Sequence, residues 1–256
     1  MDEQYLYDFF DSLKTQTHKE FDVIVVNDGY KNLEEIKNLY SPTLTIIELN
    51  YSNTPAKNRE YGINYCIDND YDILIFGDSD DFFEANRIEK SLELLEQYDI
   101  VVNDLSLFDK NSIYETKYFS NRLKNLTPIE FEFIKTKNIF GLSNTAIKLN
   151  RIDKVCFPKE LIAVDWYLFS ILLIEGKTAI FTNETITYYR QYSENIVGFK
   201  ELDKKSFEKG IEVKRRHYNS LSHKVEDFSK ELDRLSDTKY NDKFAEIKNF
   251  LWWELI

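Results

Sequence analysis

Tyr71-Asp72-Ile73-Leu74-Ile75-Phe76-Gly77-Asp78-Ser79-Asp80-Asp81-Phe82-Phe83 decides how this chain folds. The apolar run 73–76 has the make-up of a strand buried on both faces of a parallel sheet, and it delivers Asp78, Asp80 and Asp81 at its carboxyl end. Ligands of open α/β sheets gather just outside the carboxyl ends of strands. Acids crowded there repel one another unless a cation or a positively charged group is the partner. The stretch therefore points to a divalent cation, Mg2+ or Mn2+, and behind it a phosphorylated substrate. The competing reading is a solvated acidic turn that caps the following helix, because acids favour helix amino ends.

The flanking residues alternate helix and strand. Residues 3–16 carry Tyr5, Phe9, Phe10 and Leu13 at helical spacing, and 21–26 is a β-branched strand closed by Asn27-Asp28-Gly29. Helix is predicted over 33–40, strand over 44–49, helix over 57–68, helix over 86–97 and strand over 100–107. Such alternation predicts an α/β fold with a mostly parallel sheet flanked by helices. The middle is less regular. Thr127, Pro128 and Glu130 read as cap, first turn and third position of a helix. An apolar helix spans 164–175 and stops at Gly176, and short strands follow at 178–181 and 185–189. From about residue 200 onward the composition predicts amphipathic helices.

A chain of 256 residues with 43% hydrophobic content, 4 Pro and 7 Gly is globular, and a formal charge of −12 argues against a nucleic-acid partner. Cys66 and Cys156 lack metal-ligand spacing and sit among apolar neighbours, so both are expected to be buried free thiols. No apolar run is long enough to span a bilayer and none reads as a leader, which makes a cytoplasmic location the expectation.

Two further stretches bear on chemistry. Asp28, at a strand end, is placed to accept hydrogen bonds from a base or a ribose, although Asn-Asp-Gly is also an ordinary turn. Asn53 to Gly62 opens a helix with Pro55 in its first turn, and Lys57 and Arg59 there can meet anionic groups beside the helix amide donors.

In order and spacing, Val25-Val26-Asn27-Asp28-Gly29, Ala56-Lys57-Asn58 with Gly62, and Phe76-Gly77-Asp78-Ser79-Asp80-Asp81 resemble glycosyltransferase family 2, inverting enzymes of the Rossmann-like GT-A fold. The resemblance implies that Asp28 contacts the nucleotide base and that Lys57 stands where the family often has Arg near the donor. It makes Asp78 and Asp80 the Asp-x-Asp element, with Asp80 the ligand of Mn2+ or Mg2+ and Asp78 nearer the ribose or sugar. Phe140-Gly141-Leu142-Ser143-Asn144 resembles the acceptor-side loop, which implies acceptor contacts from Gly141 and Ser143. Ala163-Val164-Asp165-Trp166-Tyr167-Leu168 resembles the segment that carries the catalytic base. Asp165 is then the base and Trp166 an acceptor contact, with a helix N-cap as the other reading of Asp165. Tyr188 to Asn195 resembles the closing segment, where Arg190 would contact the diphosphate and Tyr192 takes the place of a His; a surface Arg on a strand is the alternative for Arg190.

The implied activity is metal-assisted transfer of a sugar from a nucleoside-diphosphate sugar, a UDP-sugar by expectation, to a saccharide or lipid-linked saccharide. A GT-A domain is expected over 1–198, with a nucleotide-donor half to about 107 and an acceptor half beyond it, and a C-terminal helical region over 199–256. Lys204, Lys205, Lys209, Lys214, Arg215 and Arg216 with Leu251-Trp252-Trp253 allow a peripheral contact with the inner face of a membrane, or a homodimer contact through the Trp pair. One departure stands out: the family begins with a strand, whereas this sequence opens inside the helix that should follow it. Either a central strand is absent, which leaves open edges beside the donor site, or further polypeptide supplies it. Three other readings compete. A related nucleotidyltransferase needs a Gly- and basic-rich loop that is missing here. A phosphatase needs Thr or Val where Phe82 stands. An inactive binding module would keep the fold without turnover.

Overall fold

Tyr5, Leu6, Phe9 and Phe10 form the buried stripe of α1 (Glu3–Lys14), and Leu6, Phe9 and Phe10 pack it against Val23, Leu33 and Tyr40. The computed structural model describes residues 3–109, 112–191, 204–239 and Trp253. After α1 the chain alternates as expected except for the short β4: β1 (Asp22–Asn27), α2 (Leu33–Tyr40), β2 (Thr45–Asn50), α3 (Pro55–Asp68), β3 (Ile73–Ile75), β4 (Phe82–Phe83), α4 (Arg87–Leu95) and β5 (Ile100–Phe108). Local chemistry explains several of these boundaries. Thr54 caps α3 by accepting from the Lys57 backbone N–H at 3.4 Å, and Pro55 fills the first turn. The turn after β1 is held by Asn27, whose Oδ1 accepts from the Tyr30 backbone N–H at 2.7 Å, while Gly29 adopts φ 85°.

The second half runs β6 (Ile113–Glu115), β7 (Thr127–Ile129), α5 (Phe131–Ile134), β8 (Thr145–Lys148), α6 (Val164–Ile174), β9 (Ala179–Arg190), α7 (Lys204–Leu221) and α8 (Asp227–Asp237). Thr127 and Pro128 do not open a helix. They form an edge strand antiparallel to the start of β9, where Pro's missing N–H costs no central ladder bond, and Thr127 Oγ1 donates to the Lys124 carbonyl at 2.7 Å. The two short strands expected at 178–189 are one strand whose register on β5 jumps from Asn103–Thr182 to Asp104–Ile186, so the Asn183-Glu184 turn is a bulge. Gly176 ends α6 as expected, at φ 87°.

Strands β1 and β2 pair in parallel as one small sheet. The larger sheet has the order β3-β8-β5-β9-β4, with β6 on β5 and β7 on β9. Within it only β5–β9 is parallel, so the sheet is mixed and the expected predominance of parallel pairs is corrected. Helix–strand alternation predicts parallel pairing only where a helix joins two strands. Strand β8 arrives from the irregular middle and inserts antiparallel between β3 and β5.

The main core joins sheet residues such as Val102 and Phe181 to Phe140, Trp166 and Phe169, and also to Phe207, Tyr218 and Phe228 of the C-terminal helices. Each fully buried side chain of this kind contributes roughly 1.5–3 kcal/mol. Lys214 is buried, Trp253 is 4% exposed and stacked near Phe119, and the Lys214 ammonium donates to the Trp253 carbonyl at 3.2 Å. Neither side chain is offered to a membrane or a partner; Trp252 lies outside the described residues. Cys66 is buried as expected, but Cys156 is exposed, because the segment before α6 runs along the surface. Among the described residues no helix is long and apolar enough to cross a membrane.

Candidate active site

The turn after β3 brings the acidic cluster to the carboxyl edge of the sheets and gives its members three different environments. Asp78 is part-exposed and its Oδ1 accepts from Arg59 Nη2 at 2.9 Å. Asp80 is also part-exposed, and its backbone carbonyl accepts from Arg190 Nε at 2.8 Å. Asp81 is buried, its Oδ1 accepting from the Arg190 backbone N–H at 2.8 Å; burial, then the Asp78 and Asp80 charges, push its pKa well up. Asp81 therefore belongs to the wall of the site. Beneath it Arg87 is fully enclosed, donating to the Phe76 carbonyl at 2.6 Å and lying over the Phe83 ring. This cation offsets the clustered negative charge.

Two cavities open on this turn. One, of about 700 Å³, holds Asn27, Asp28 and Gly29 from the end of β1, and Asp28 is exposed there. The other, of about 560 Å³, is lined by Asn138, Gly141, Ser143, Asp165 and Tyr189. Pro55, Arg59 and Asp78 belong to both. The structure thus brings Asp28, Asp78 and Asp165 onto one continuous surface.

Asp165 sits in the first turn of α6 and faces the second cavity. Burial raises its pKa, opposed by hydrogen bonds from the Trp166 backbone N–H (2.8 Å) and Asn138 Nδ2 (3.3 Å) and by the Arg59 charge. The N-cap position of α6 is Ala163, so Asp165 is the second helical residue, accepting the Trp166 amide from inside the first turn, and not the N-cap. Gly141 is required where it stands: a Cβ would lie 2.7 Å from Asn144 Oδ1, which accepts the Gly141 N–H. Ser143, only 2% exposed, accepts the Asp78 backbone N–H at 3.3 Å and so ties the acceptor-side loop to the acidic turn.

Three expected contacts are corrected. Lys57 is held by Glu60 at 2.7 Å and lines neither cavity; Arg59, two residues on, is the side chain that reaches Asp78. Arg190 does not stand open to a diphosphate. It is 7% exposed, pairs with Asp8 at 2.7 Å and is sandwiched near the rings of Tyr5 and Phe108, clasping α1 to the acidic turn. Trp166 is fully buried, donates through Nε1 to the Ile134 carbonyl at 2.7 Å and stacks on His217 at 3.8 Å, so it is a core residue and not an acceptor contact. Tyr192 lies outside the described residues. Sequence reasoning passed over Tyr189 and Asn138. The Tyr189 phenol has its pKa raised by burial and by the surrounding Asp carboxylates, which keeps it a neutral donor. The signal for Tyr189 was its place on the strand that ends beside the acidic turn; Asn138 had none, lying in an irregular loop.

The family model for glycosyl transferase family 2 matches residues 2–149. An uncharacterized glycosyltransferase of Haemophilus influenzae is 27% identical over 221 residues, covering 81% of this chain and 70% of its own. Glycosyltransferase GlyA of Streptococcus pneumoniae is 25% identical over 205 residues, covering 73% of this chain and 29% of its own length. Among solved structures, S. aureus TarS 1–349 in complex with UDP-GlcNAc superposes with a TM-score of 0.65 at 15% identity, covering 92% of this chain and 68% of that one. GalNAc-T7 with UDP, GalNAc and Mn2+ gives 0.57 at 10% identity, covering 92% and 49%. These structural likenesses establish the shared α/β architecture.

Proposed function

Because this chain belongs to glycosyl transferase family 2 and is a glycosyltransferase, we propose that it moves a sugar, with inversion, from a UDP-sugar to a hydroxyl of a saccharide or lipid-linked saccharide. The observation that carries this reading is the pair of cavities joined at Arg59 and Asp78, with Asp28 on one side and Asp165 on the other. The UDP-GlcNAc bound by TarS and the UDP bound by GalNAc-T7 support the choice of donor.

In this reading Asp28 accepts hydrogen bonds from the base, and Asp78 sits nearer the ribose or sugar. Asp165 takes the proton of the acceptor hydroxyl as that oxygen attacks the anomeric carbon. The bond from that carbon to the diphosphate breaks on the opposite side, so inversion needs no covalent intermediate. Arg59 neutralises charge that develops on the departing diphosphate. Gly141 and Ser143 shape the acceptor side.

The residues present fit a hard divalent cation. Among the described residues no group of three ligating side chains stands together. Mg2+ and Mn2+ sites of donor-dependent enzymes commonly use one or two carboxylates and complete the shell with substrate phosphates. Asp80, part-exposed two residues beyond Asp78 and lining neither cavity itself, is the carboxylate that would hold it. When bound, the cation draws negative charge off the leaving diphosphate.

UDP release from a panel of UDP-sugars, with and without Mn2+, tests the reading. Turnover of one donor that Asp165→Asn abolishes while UDP still binds is the expected result. Absence of turnover with every donor and a range of saccharide acceptors, in a protein that binds UDP, would overturn it.

A further inference from the structure

Tyr189 lines the cavity of about 560 Å³ that holds Asp165 and does not line the one that holds Asp28. The pleat of β9 puts it there. Side chains alternate between the two faces of a strand. Tyr188 stacks on Phe82 with ring centroids 4.4 Å apart, and Arg190 lies over the rings of Tyr5 and Phe108. Tyr189 points to the other face, the one carrying Thr187, whose Oγ1 donates to the Ser143 carbonyl at 3.0 Å. It thereby joins the wall that the Gly141–Ser143 loop and Asp165 form.

The Tyr189 ring packs against the main core, but its hydroxyl is differently placed. Among the described residues no protein group hydrogen-bonds to it, and its oxygen is not sealed off from the cavity. A half-buried phenol in that position is satisfied by water or by a ligand. The surroundings restrict the ligand. After burial, the groups that bear most on this phenol are Asp81, Asp78, Asp80 and Asp165, and all of them favour its protonated form. A carboxylate or phosphate brought here would face those acids, whereas a neutral hydroxyl would not. A hydroxyl both donates and accepts, as the phenol does. The oxygen that reacts belongs to Asp165, so the hydroxyl that Tyr189 meets is a second one beside it.

We propose that Tyr189 is an acceptor-recognition residue: its hydroxyl hydrogen-bonds a neutral hydroxyl vicinal to the one whose proton Asp165 takes. The acceptor is then a saccharide with a free diol at the site of transfer, and any anionic group it carries lies elsewhere. This assignment rests on the proposed sugar transfer with Asp165 as the base, and adds to it the chemistry by which the acceptor is chosen.

Initial rates of transfer to the methyl glycosides of glucose, galactose and N-acetylglucosamine, and to their monodeoxy analogues, test the contact in wild type and Tyr189→Phe. The variant keeps its ring in the core, so its Tm and UDP affinity should match those of the wild type. Its KM for the acceptor should rise about 10-fold, while kcat and the donor KM stay within about twofold. One deoxy analogue, lacking the hydroxyl next to the site of transfer, should cost the wild type about 10-fold in kcat/KM. The same analogue should cost Tyr189→Phe less than about twofold, because the partner is already gone. Deoxy analogues that cost both proteins alike would mean that the phenol touches no acceptor hydroxyl, and would overturn the assignment with the transfer reaction intact. A loss confined to kcat or to the donor KM would place Tyr189 on the donor and overturn it too. Absence of transfer to every glycoside, in a wild type that binds UDP, would overturn the proposed function and this assignment together.

Discussion

Arg59 Nη2 lies 2.9 Å from Asp78 Oδ1, and this ion pair stands where the cavity holding Asp28 meets the one holding Asp165. Both side chains are about a third exposed, 36% and 31%, so solvent screening limits the pair to roughly 0–1 kcal/mol of stability. In the proposed reading its weight lies in the charge it holds beside the donor diphosphate. Arg59→Ala is expected to lower kcat/KM by about 10²-fold with a near-normal Tm. Lys57→Ala, which removes an ion pair with Glu60, should change turnover by less than about threefold. Steady-state kinetics on the two variants checks the assignment, and equal losses would refute it.

Asp165 should set the acid limb of the pH–rate profile. Its pKa is raised, mainly by burial, and the base must be ionised to act, so kcat/KM rises with pH through that value. The Asn138 hydrogen bond favours the ionised form. Asn138→Ala should therefore move the acid limb to higher pH, while Asp165→Asn costs about 10²–10⁴-fold in kcat and leaves UDP binding intact.

Cation dependence should pass through Asp80. Calorimetric titration of UDP with and without Mn2+ is expected to show binding strengthened by the metal in the wild type and indifferent to it in Asp80→Ala. A metal effect that survives the substitution would move the ligand elsewhere.

The clasp between Asp8 and Arg190 is structural. Arg190 is almost wholly enclosed, so Asp8→Ala leaves a buried charge without this partner and should cost about 1–3 kcal/mol in urea denaturation. UDP affinity in the folded variant should stay within about threefold, which a direct diphosphate contact by Arg190 would not allow.

His217 stacks on Trp166 with both ring nitrogens unpartnered, and burial, aided by Lys214, drives its pKa from 6.5 down to about 3. It is neutral in the folded chain. Its contribution to stability is complete above pH 6.5 and is lost as pH falls towards 3, at up to about 1.4 kcal/mol per pH unit. His217→Phe, which keeps a ring against Trp166, should flatten the acid limb of Tm against pH over that window.

Much of the donor half was legible because its signals are local. The stripe of α1, the Asn27-Asp28-Gly29 turn, the Thr54-Pro55 cap and the run into Asp78 each report on a few neighbouring residues. Likewise the segment of Asp165 and the Gly141 loop that Asn144 closes were singled out locally, and both line the second cavity. The acceptor half was less legible. Pro128 sits in an edge strand because the start of β9 offers it a distant partner, Ile180, and no local pattern announces that pairing.

By itself the sequence determined the order of elements through β5, apart from the two-residue β4, the acidic turn at the carboxyl edge and the family. Helical and strand periodicities, and the residues that end them, carry that information within short windows. Tertiary structure decided which side chains face the chemistry. Lys57 and Arg59 differ by two residues, about 200° around α3, so only the helix's orientation on the sheet selects Arg59 for Asp78. It also decided that Trp166 and Arg190 are enclosed and that the main sheet is mixed. Burial and strand neighbours are set by residues far apart in the chain, and no local periodicity encodes them.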